Sequence, residues 1–459
     1  MSSLQDKDQH QQEALEQAEA EFWNTANNKL IRYGGKWTHK IIVEAEGTVM
    51  KDIRGNRILD WTSGQMSSLL GHAHPEIVAV VEQYVKQLDH VFSGMVTQPV
   101  VDLCDKLTAL LPRGLDRCMF LSTGSETNEC AFKLAKMYTG GFEVVSFAAS
   151  YHGMTAGAGA ATFSVGRKGY GPQMAGNLVL PVPYAYRSPF RFPDGSYDWK
   201  SELDYGWDLI DRQSVGALAC CVVEPILSTG GIIELPEGYL KELKRHCEKR
   251  GMLLIIDEAQ TGMGRTGDMF AFERDGVVPD ILTLSKTLGA GLPLGATVCT
   301  QQIEEVCRER GFFYYTTHLN DPLVCAVGAK VCDIAVETDL PGQAAHKGKI
   351  LKDGLLQLQN KYPCIGDVRG RGLLLGIEIV LDEAKTPGDQ LGSEISARCL
   401  ETGLSCNVVQ LPGMGGTFRL APPATISEEE IREGLEIMDA AFAYCLAKQE
   451  HQGGVVGGA

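Results

Sequence analysis

Short apolar runs rich in β-branched residues alternate with longer amphipathic stretches over most of the chain. The strand candidates are VVSF near residue 144, CCVV near 221, LLII near 253 and ILTL near 281. The clearest helical stretch between them is YLKELKRHCEKRG at 239–251, where Leu240 and Leu243 share one face. This alternation predicts an α/β fold with a mostly parallel sheet and helices on both faces.

The pattern changes after about residue 320 and predicts a second domain. Two long helical stretches, roughly 321–337 and 341–360, lead into the glycine-punctuated strands of IGDVRGRGLLLGIEIV. A last helix is predicted after Ser427, because Glu430 gives the spacing of a capping box and apolar residues follow at helical intervals.

Composition and charge narrow the function classes. The 459 residues carry 42 Lys and Arg against 58 Asp and Glu, a net charge of −16, which disfavours nucleic acid and anionic membranes as partners. The 14 cysteines form no CxxC pair, so we expect reduced thiols. No stretch has the apolar density of a membrane-spanning helix, and the first 31 residues resemble neither a secretory signal nor a transit peptide. We therefore predict a cytoplasmic protein.

Two polar residues follow predicted strands, at the edge of the sheet where α/β proteins bind ligands. Lys286 comes directly after ILTLS and before the small-residue loop TLGAGLP. A lysine there can act as a Schiff-base amine, although a solvated loop lysine is the commoner case for an isolated residue. Asp257 ends the run LLIID, 29 residues upstream. It can be a metal ligand, a capping group or the partner of a cofactor cation.

A third feature is STGSETNECAFKLAK, where Thr123, Gly124 and Ser125 open a predicted helix. Free backbone N–H groups and hydroxyls at a helix start suit a phosphate, and plain capping is the alternative. Pyridoxal 5'-phosphate (PLP) needs an amine for its aldehyde, a carboxylate for its pyridine nitrogen and a site for its phosphate. The three features together predict a site for that cofactor.

A set of phrases spread along the chain resembles a known family. They are RYGG (32–35), LDWTSGQMSSLLGHAHPEI (59–77), LSTGSETNE (121–129), SYHGMT (150–155), EPILSTGGIIELP (224–236), LLIIDEAQTGMGRTG (253–267), LTLSKTLGAGLPL (282–294), FYYTTHLNDPL (313–323) and VRGRGLLLGIEIV (368–380). Together they resemble the class III aminotransferases of PLP fold type I and, within that class, the 2,2-dialkylglycine decarboxylases, over about residues 22–446. The resemblance implies a large PLP-binding α/β domain at 67–337 with a seven-stranded sheet, a small α+β domain at 338–459, and a segment at 1–66 that joins the small domain.

The resemblance implies a role for each cofactor contact. Lys286 would hold the cofactor covalently and shuttle protons, Asp257 would pair with the pyridinium, and Gln260 would hydrogen-bond the ring hydroxyl oxygen. Tyr151 would stack on the ring at a place where the decarboxylases have Trp. The implied cofactor-binding set is Thr123, Gly124, Ser125, Tyr151, His152, Glu224, Asp257, Gln260, Lys286 and Thr317. Thr317 would reach the phosphate in a neighbouring subunit, which implies a homodimer at least and leaves a homotetramer open.

The resemblance also implies substrate and metal contacts. The substrate-binding set is Gln65, Met154, Thr229 and Arg419, and the catalytic set is Lys286, Gln65 and Arg419. Arg419 would bind a substrate carboxylate through a bidentate fork. Gln65 would hold a departing carboxylate perpendicular to the cofactor ring. An alkali ion, potassium or sodium, would be held by Val91, Ser93, Thr317, Leu319 and Asp321.

The expected substrates are small amino and keto acids, and the reaction implied by the resemblance is decarboxylation-dependent transamination. A 2,2-dialkylglycine such as 2-aminoisobutyrate would react with pyruvate to give a ketone, CO2 and L-alanine. The first alternative is a class III aminotransferase or amino-acid epimerase without decarboxylation, which Tyr151 favours and Gln65 opposes. A catalytically silent binding protein is opposed by Lys286 and Asp257. The GxGxxG at 262–267 is a weak sign of a nicotinamide site, because no full crossover helix fits after it.

Overall fold

The computed structural model describes residues 2–34, 37–410 and 414–453. Over these residues the α-helices are α1 (Ser2–Lys29), α2 (Ser63–Met66), α3 (Pro75–Gln87), α4 (Gln98–Leu110), α5 (Gly124–Thr139), α6 (Ala156–Ala160), α7 (Trp199–Gln213), α8 (Tyr239–Lys249), α9 (Gln301–Glu309), α10 (Pro322–Glu337), α11 (Leu340–Lys361), α12 (Asp389–Glu401) and α13 (Glu428–Gly453). The strands are β1 (Ile42–Glu46), β2 (Val49–Asp52), β3 (Arg57–Asp60), β4 (Arg117–Leu121), β5 (Glu143–Phe147), β6 (Asn177–Leu180), β7 (Leu218–Val223), β8 (Ile226–Leu227), β9 (Ile233–Glu234), β10 (Leu253–Asp257), β11 (Ile281–Leu284), β12 (Gly295–Cys299), β13 (Ile365–Arg371), β14 (Leu374–Ile379), β15 (Leu404–Ser405), β16 (Asn407–Val409) and β17 (Thr417–Leu420). Short 3-10 helices span Ala271–Asp275 and Lys286–Gly289.

A seven-stranded sheet lies at the centre of the molecule, in the order β4-β12-β11-β10-β7-β5-β6. The neighbours from β11 to β6 are parallel, whereas β12 runs antiparallel to both β11 and β4. Every residue of β5, β10, β11 and β12 is buried, as expected for strands that helices cover on both faces. The predicted α/β fold with a mostly parallel sheet of seven strands is therefore confirmed.

The elements predicted from the hydrophobic pattern are present. The four apolar runs lie in β5, β7, β10 and β11, and the two long helical stretches after residue 320 are α10 and α11. Helix α8 buries Leu240, Leu243 and Cys247 on one face. It ends at Lys249, and Gly251 at φ +65° turns the chain toward β10. Glycine adopts this left-handed conformation without the steric cost that a Cβ would impose.

Two smaller sheets involve the last third of the chain. One is antiparallel, in the order β13-β14-β17-β16, and the other, β1-β2-β3-β15, pairs β3 with β15 in parallel. The predicted capping box at the start of α13 is confirmed: Ser427 Oγ accepts from the Glu430 N–H at 3.1 Å, and the Ser427 N–H donates to Glu430 Oε2 at 2.9 Å.

Two whole-chain expectations can be compared with this structure. Within the described ranges, no helix is both long enough and apolar enough to cross a bilayer. All 14 cysteines carry free thiols, and ten of these residues are buried. The thiol state agrees with the reduced cysteines that the sequence predicts.

Candidate active site

A cavity of about 610 Å³ opens at the carboxyl ends of the central strands. Asp257 is the last residue of β10, Lys286 follows β11, and Thr123 lies between β4 and α5. Parallel strands end at the same edge of a sheet, so residues distant in sequence meet there. The predicted site residues in the cavity wall are Gln65, Thr123, Gly124, Ser125, Tyr151, His152, Thr229, Asp257, Gln260, Lys286 and Arg419.

Asp257 is a buried carboxylate that hydrogen bonds keep ionised. His152 Nδ1 and Asn128 Nδ2 each lie 2.9 Å from Asp257 Oδ2, and the Ala259 N–H donates to Oδ1 at 3.1 Å. Burial alone would raise the pKa of this carboxyl, but the hydrogen bonds from His152 and Asn128, with the charges of His152 and Lys286, lower it. The carboxylate can therefore pair with a cationic ring nitrogen at neutral pH.

Lys286 lies in the cavity wall in a conformation that is unusual for a lysine. Its φ is +40°, in the left-handed region, at the first residue of the 3-10 helix Lys286–Gly289. Desolvation in the site lowers the pKa of its amine, while the carboxylates of Asp257 and Glu224 oppose that shift. A lowered pKa increases the neutral fraction of the amine, the form that attacks an aldehyde and accepts a proton.

The start of α5 leaves two backbone donors for a ligand. The Glu126 N–H donates to Thr123 Oγ1 at 3.2 Å, and the Thr123 N–H donates to Glu126 Oε2 at 3.1 Å, so these two residues form a capping box. The next N–H groups, of Gly124 and Ser125, belong to the first turn and have no intrahelical acceptor. Capping thus uses Thr123 and Glu126 and leaves the N–H groups of Gly124 and Ser125 for an anion.

Two observations show that the cavity fits a phosphorylated heterocycle. Ser285 Oγ and His152 Nε2 are buried at the cavity and have no hydrogen-bond partner among the described residues. A Cβ on Gly124 would lie 2.8 Å from Ser285 Oγ, so glycine keeps room at the helix start. An amine at Lys286, an anionic Asp257 and this helix start are the groups that PLP requires.

Tyr151, Gln260 and Glu224 form a connected group on one side of the cavity. The backbone N–H of Tyr151 donates to Glu224 Oε1 at 2.9 Å, and Ser228 Oγ donates to Gln260 Oε1 at 2.7 Å. Gln260 therefore has its amide N–H groups available to a ring oxygen. Glu224 lies behind the cavity wall and holds the Tyr151 backbone, and burial raises the pKa of its carboxyl to about 7.

Arg419 presents part of its guanidinium to the cavity. Its Nε and Nη2 donate to Asn407 Oδ1 at 2.9 and 2.7 Å, while Nη1 approaches Thr229 Oγ1 at 3.4 Å. Burial lowers the pKa of Arg419 to about 10, so it remains cationic at neutral pH. Because Asn407 is a neutral partner, the positive charge is left for a substrate carboxylate.

Gln65 lies in α2 (Ser63–Met66), whose backbone departs from helical geometry at Gly64 and Gln65, so we call this segment the Gln65 loop. Contacts from other parts of the chain hold it in place. The loop has φ +64° at Gly64 and φ +61° at Met66, and Gln65 lies in the cavity wall between them. The Gly64 N–H donates to Asp60 Oδ2 at 2.8 Å, and Ser63 Oγ donates to the Ala421 carbonyl at 2.5 Å. These contacts tie the Gln65 loop to the strand end that carries Arg419.

Some predicted residues lie outside the cavity wall. Met154 is 52% exposed, and its backbone N–H donates to Ser125 Oγ at 3.1 Å. Thr317 is exposed, in the segment between α9 and α10. Sequence reasoning missed Asn128, Ser285 and Asn407. Asn128 could have been found, because it lies one helical turn after Gly124 within the phosphate motif.

The alkali-ion ligands that the resemblance implies include the carboxylate of Asp321, whose contacts the structure shows. The resemblance implies that Val91 and Leu319 bind through backbone oxygens, and among the described residues no hydrogen bond joins the side chain of Ser93 or Thr317 to the carboxylate of Asp321. That carboxylate instead contacts two imidazoles: His90 Nδ1 lies 2.5 Å from Oδ1, and His318 Nδ1 contacts Oδ2. The alkali-ion assignment stays a prediction.

Comparison with known proteins places the chain in a family. The family model described as aminotransferase class-III matches residues 33–442. An uncharacterized aminotransferase of Schizosaccharomyces pombe is 54% identical over 424 residues, which is 92% of this chain and 95% of that protein. The solved structure of a Bacillus anthracis aminotransferase matches with a TM-score of 0.86 and 30% identity, over 95% of this chain and 99% of that one.

A second solved structure is that of a cofactor-bound transaminase. A PLP-bound amine transaminase from an uncultivated Pseudomonas species matches with a TM-score of 0.83 and 29% identity, over 91% of this chain and 99% of that one. These relatives carry the names of aminotransferases and transaminases. The family match spans all the predicted residues in the cavity wall. The chain therefore belongs to the class III aminotransferases.

Proposed function

We propose that this enzyme binds PLP and transfers the amino group of an α-amino acid to a 2-oxo acid. The observation that carries the proposal is the presence of Lys286 and the Asn407-oriented Arg419 in one cavity. An amine that can hold an aldehyde cofactor and a carboxylate receptor that face the same space fit a substrate with an amino group and a carboxylate on one carbon. The names of the related aminotransferases support the same reaction class.

The residues that would hold the cofactor are those of the strand ends. PLP, when bound, supplies an aldehyde that takes up the amino group and a ring that accepts electrons. Asp257 would keep a proton on the ring nitrogen, and Gly124 and Ser125 would donate backbone N–H groups to the phosphate. Lys286 Nζ would take the proton from the substrate Cα and return it elsewhere, as a general base and acid.

A second candidate reaction is decarboxylation before amino transfer, as in 2,2-dialkylglycines. It is favoured by Gln65, whose loop is fixed by the Gly64 and Ser63 hydrogen bonds and whose side chain can hold a carboxylate. The bond that breaks must lie perpendicular to the cofactor ring, so a hydrogen bond that fixes the carboxylate there would select decarboxylation. Tyr151 and the aminotransferase relatives favour simple amino transfer, which is the main proposal.

The same proposal includes a second copy of the chain. Thr317 does not reach the cavity of its own chain. Its segment touches the segment after α3 through the rings of His90 and His318, whose centroids lie 5.0 Å apart. Both segments carry exposed apolar residues. These residues are Phe92, Met95, Val96, Phe313 and Tyr315, each at least 50% exposed. A homodimer would cover this surface.

The experiment that separates the two reactions uses the purified PLP-loaded enzyme with pyruvate as acceptor. 2-Aminoisobutyrate has no Cα hydrogen, so it can give up its amino group only with loss of CO2. Formation of CO2, acetone and alanine would support decarboxylation, whereas reaction of conventional α-amino acids without CO2 would support the main proposal. Inactivity toward every amino acid tested would contradict both.

A variant with no reactive amine provides the control. Lys286→Ala should show no turnover in either assay while it retains noncovalently bound PLP, because the phosphate and ring contacts lie on other residues. Near wild-type turnover of this variant would contradict the role of Lys286.

A further inference from the structure

A fully buried hydroxyl lies behind the cavity wall and contacts the side chain of Gln260. Ser228 directly follows β8 and has no exposed surface. Its Oγ donates to Gln260 Oε1 at 2.7 Å and lies 3.6 Å from Met66 Sδ. A hydroxyl has one proton, and an amide oxygen is a stronger acceptor than a thioether sulfur, so the proton goes to Gln260. Ser228 therefore contacts the cavity wall through the Gln260 amide.

The backbone of Ser228 is held on both sides. Its N–H donates to Glu224 Oε2 at 3.3 Å, and its carbonyl accepts from the N–H groups of Gly231 and Ile232 at 3.1 and 3.2 Å. The other oxygen of the Glu224 carboxyl, Oε1, accepts from the Tyr151 N–H at 2.9 Å. The Ser228 hydroxyl is thus fixed with respect to the residue that would stack on the cofactor ring.

The Gln260 amide has two orientations, and Ser228 distinguishes between them. With Oε1 on the Ser228 hydroxyl, Nε2 faces the cavity, and no described residue accepts from it. In the reverse orientation Nε2 would donate to Ser228 Oγ, the hydroxyl proton would turn to Met66 Sδ, and Oε1 would face the cavity. An oxygen that carries negative charge accepts from N–H groups and is repelled by a carbonyl oxygen. Only the first orientation therefore suits an anionic ring oxygen.

We propose that Ser228 is a positioning residue that keeps the Gln260 N–H groups directed at the ring hydroxyl oxygen of PLP. The inference rests on the proposed function, because it requires PLP in the cavity. Without the hydroxyl, Gln260 Oε1 loses its partner and the amide is free to turn. The loss then concerns one atom of the cofactor, its ring hydroxyl oxygen, and leaves the contacts of Asp257 and of the α5 start unchanged.

A cofactor analogue without that oxygen tests the proposal. The full-length chain is stripped of cofactor, and its dissociation constants for PLP and for 3-deoxypyridoxal 5'-phosphate are measured by fluorescence titration. Ser228→Ala should weaken PLP binding about tenfold, since a hydrogen bond to a charged oxygen is lost, and should leave the affinity for the deoxy analogue unchanged. The double variant Ser228→Ala/Gln260→Ala should bind PLP no more weakly than Gln260→Ala, because Ser228 acts only through Gln260.

Ser146 provides the matched control. It is equally buried, and its Oγ donates to the Ala161 carbonyl at 2.9 Å, outside the cavity wall. Ser146→Ala should bind both compounds as the wild type does. Wild-type affinity for PLP in Ser228→Ala, equal weakening of both compounds, or additive losses in the double variant would each overturn the positioning role alone. A wild-type chain that binds no PLP would overturn the proposed function and this inference with it.

Discussion

The two sides of the cavity are built in different ways. The cofactor side consists of residues at strand ends and at one helix start, joined by short hydrogen bonds. Asn128 is the centre of this side, because its Nδ2 donates to the Gly124 and His152 carbonyls, both at 3.0 Å, and to Asp257 at 2.9 Å. One amide thus fixes three parts of the cofactor side with respect to one another.

The substrate side consists of Gln65, Thr229, Asn407 and Arg419, which come from loops and strands far apart in the sequence. Asn407 lies opposite Arg419 because β16 and β17 pair in antiparallel register. The Gln65 loop depends on Ser63, which contacts Ala421 and the buried Arg265. Under the proposed function, the cofactor contacts would be set at the edge of one sheet, whereas the substrate choice would depend on how two regions of the chain pack together.

The largest effect is expected on the cofactor side. Asp257→Asn should lower turnover by orders of magnitude, because a neutral amide does not hold the proton on the ring nitrogen. Single-turnover rates with an amino acid measure this loss. The Michaelis constant for the amino acid should change little, because Arg419 is untouched. A variant that keeps most of its activity would show that another group protonates the ring.

A smaller effect is expected on the substrate side, where the change should appear in the KM for the amino acid. Asn407→Ala removes the amide oxygen that orients Arg419. Hydrogen bonds to charged groups contribute about 1.5 to 3 kcal/mol, so the KM for the amino acid should rise about ten- to a hundredfold. The affinity for PLP and its absorbance should stay as in the wild type.

The control for Asn407 is Gln410, an exposed amide on the same stretch that hydrogen-bonds Asp389 and Ser393. Gln410→Ala should leave the KM unchanged. A loss of PLP affinity in Asn407→Ala, without any change in KM, would break the division between the two sides.

The smallest effect is on stability and comes from Glu224. The pKa of this carboxyl rises from an ordinary 4.5 to about 7 in the folded chain, chiefly through burial. The folded state therefore binds the proton more tightly than the unfolded state does. This contribution to stability is fully present below pH 4.5 and is lost as pH rises through about 7.

Glu224→Gln should remove that part of the pH dependence. Between acidic and mildly alkaline pH, the free energy of unfolding should fall less in the variant than in the wild type, as measured by denaturant titration at a fixed PLP concentration. Glu309→Gln, at an exposed position on α9, is the control and should follow the wild type. Parallel pH curves for Glu224→Gln and the wild type would contradict the buried-carboxyl explanation.

The sequence predicts the positions of Lys286 and Asp257 in the cavity wall for a physical reason. Lys286 and Asp257 each follow an apolar run that reads as a buried strand, and strand ends meet at one edge of the sheet. Thr123 illustrates a limit: capping and phosphate binding were alternatives in the sequence, and in the structure Thr123 caps the helix while the next N–H groups are free for an anion.

The remaining differences between the sequence predictions and the structure come from tertiary contacts, which no local sequence pattern reveals. Asn407 was missed because its role depends on strand register and on the orientation of Arg419. Glu224, implied as a cofactor contact, lies behind Tyr151 and acts on its backbone. Asp321, implied as an alkali-ion ligand, meets His90 from a segment more than 200 residues away in sequence.

The proposed function requires the cavity to hold both the amino group and the carboxylate of one α-amino acid. Isopropylamine is L-alanine with a methyl group in place of the carboxylate, so the pair tests the contribution of the substrate carboxylate. In single-turnover mixing with the PLP-loaded enzyme, we expect L-alanine to yield one pyruvate per subunit at least about tenfold faster than isopropylamine yields acetone, the minimum expected from one charged hydrogen bond. Equal rates for the two amines, or faster reaction of isopropylamine, would contradict a carboxylate receptor in the cavity.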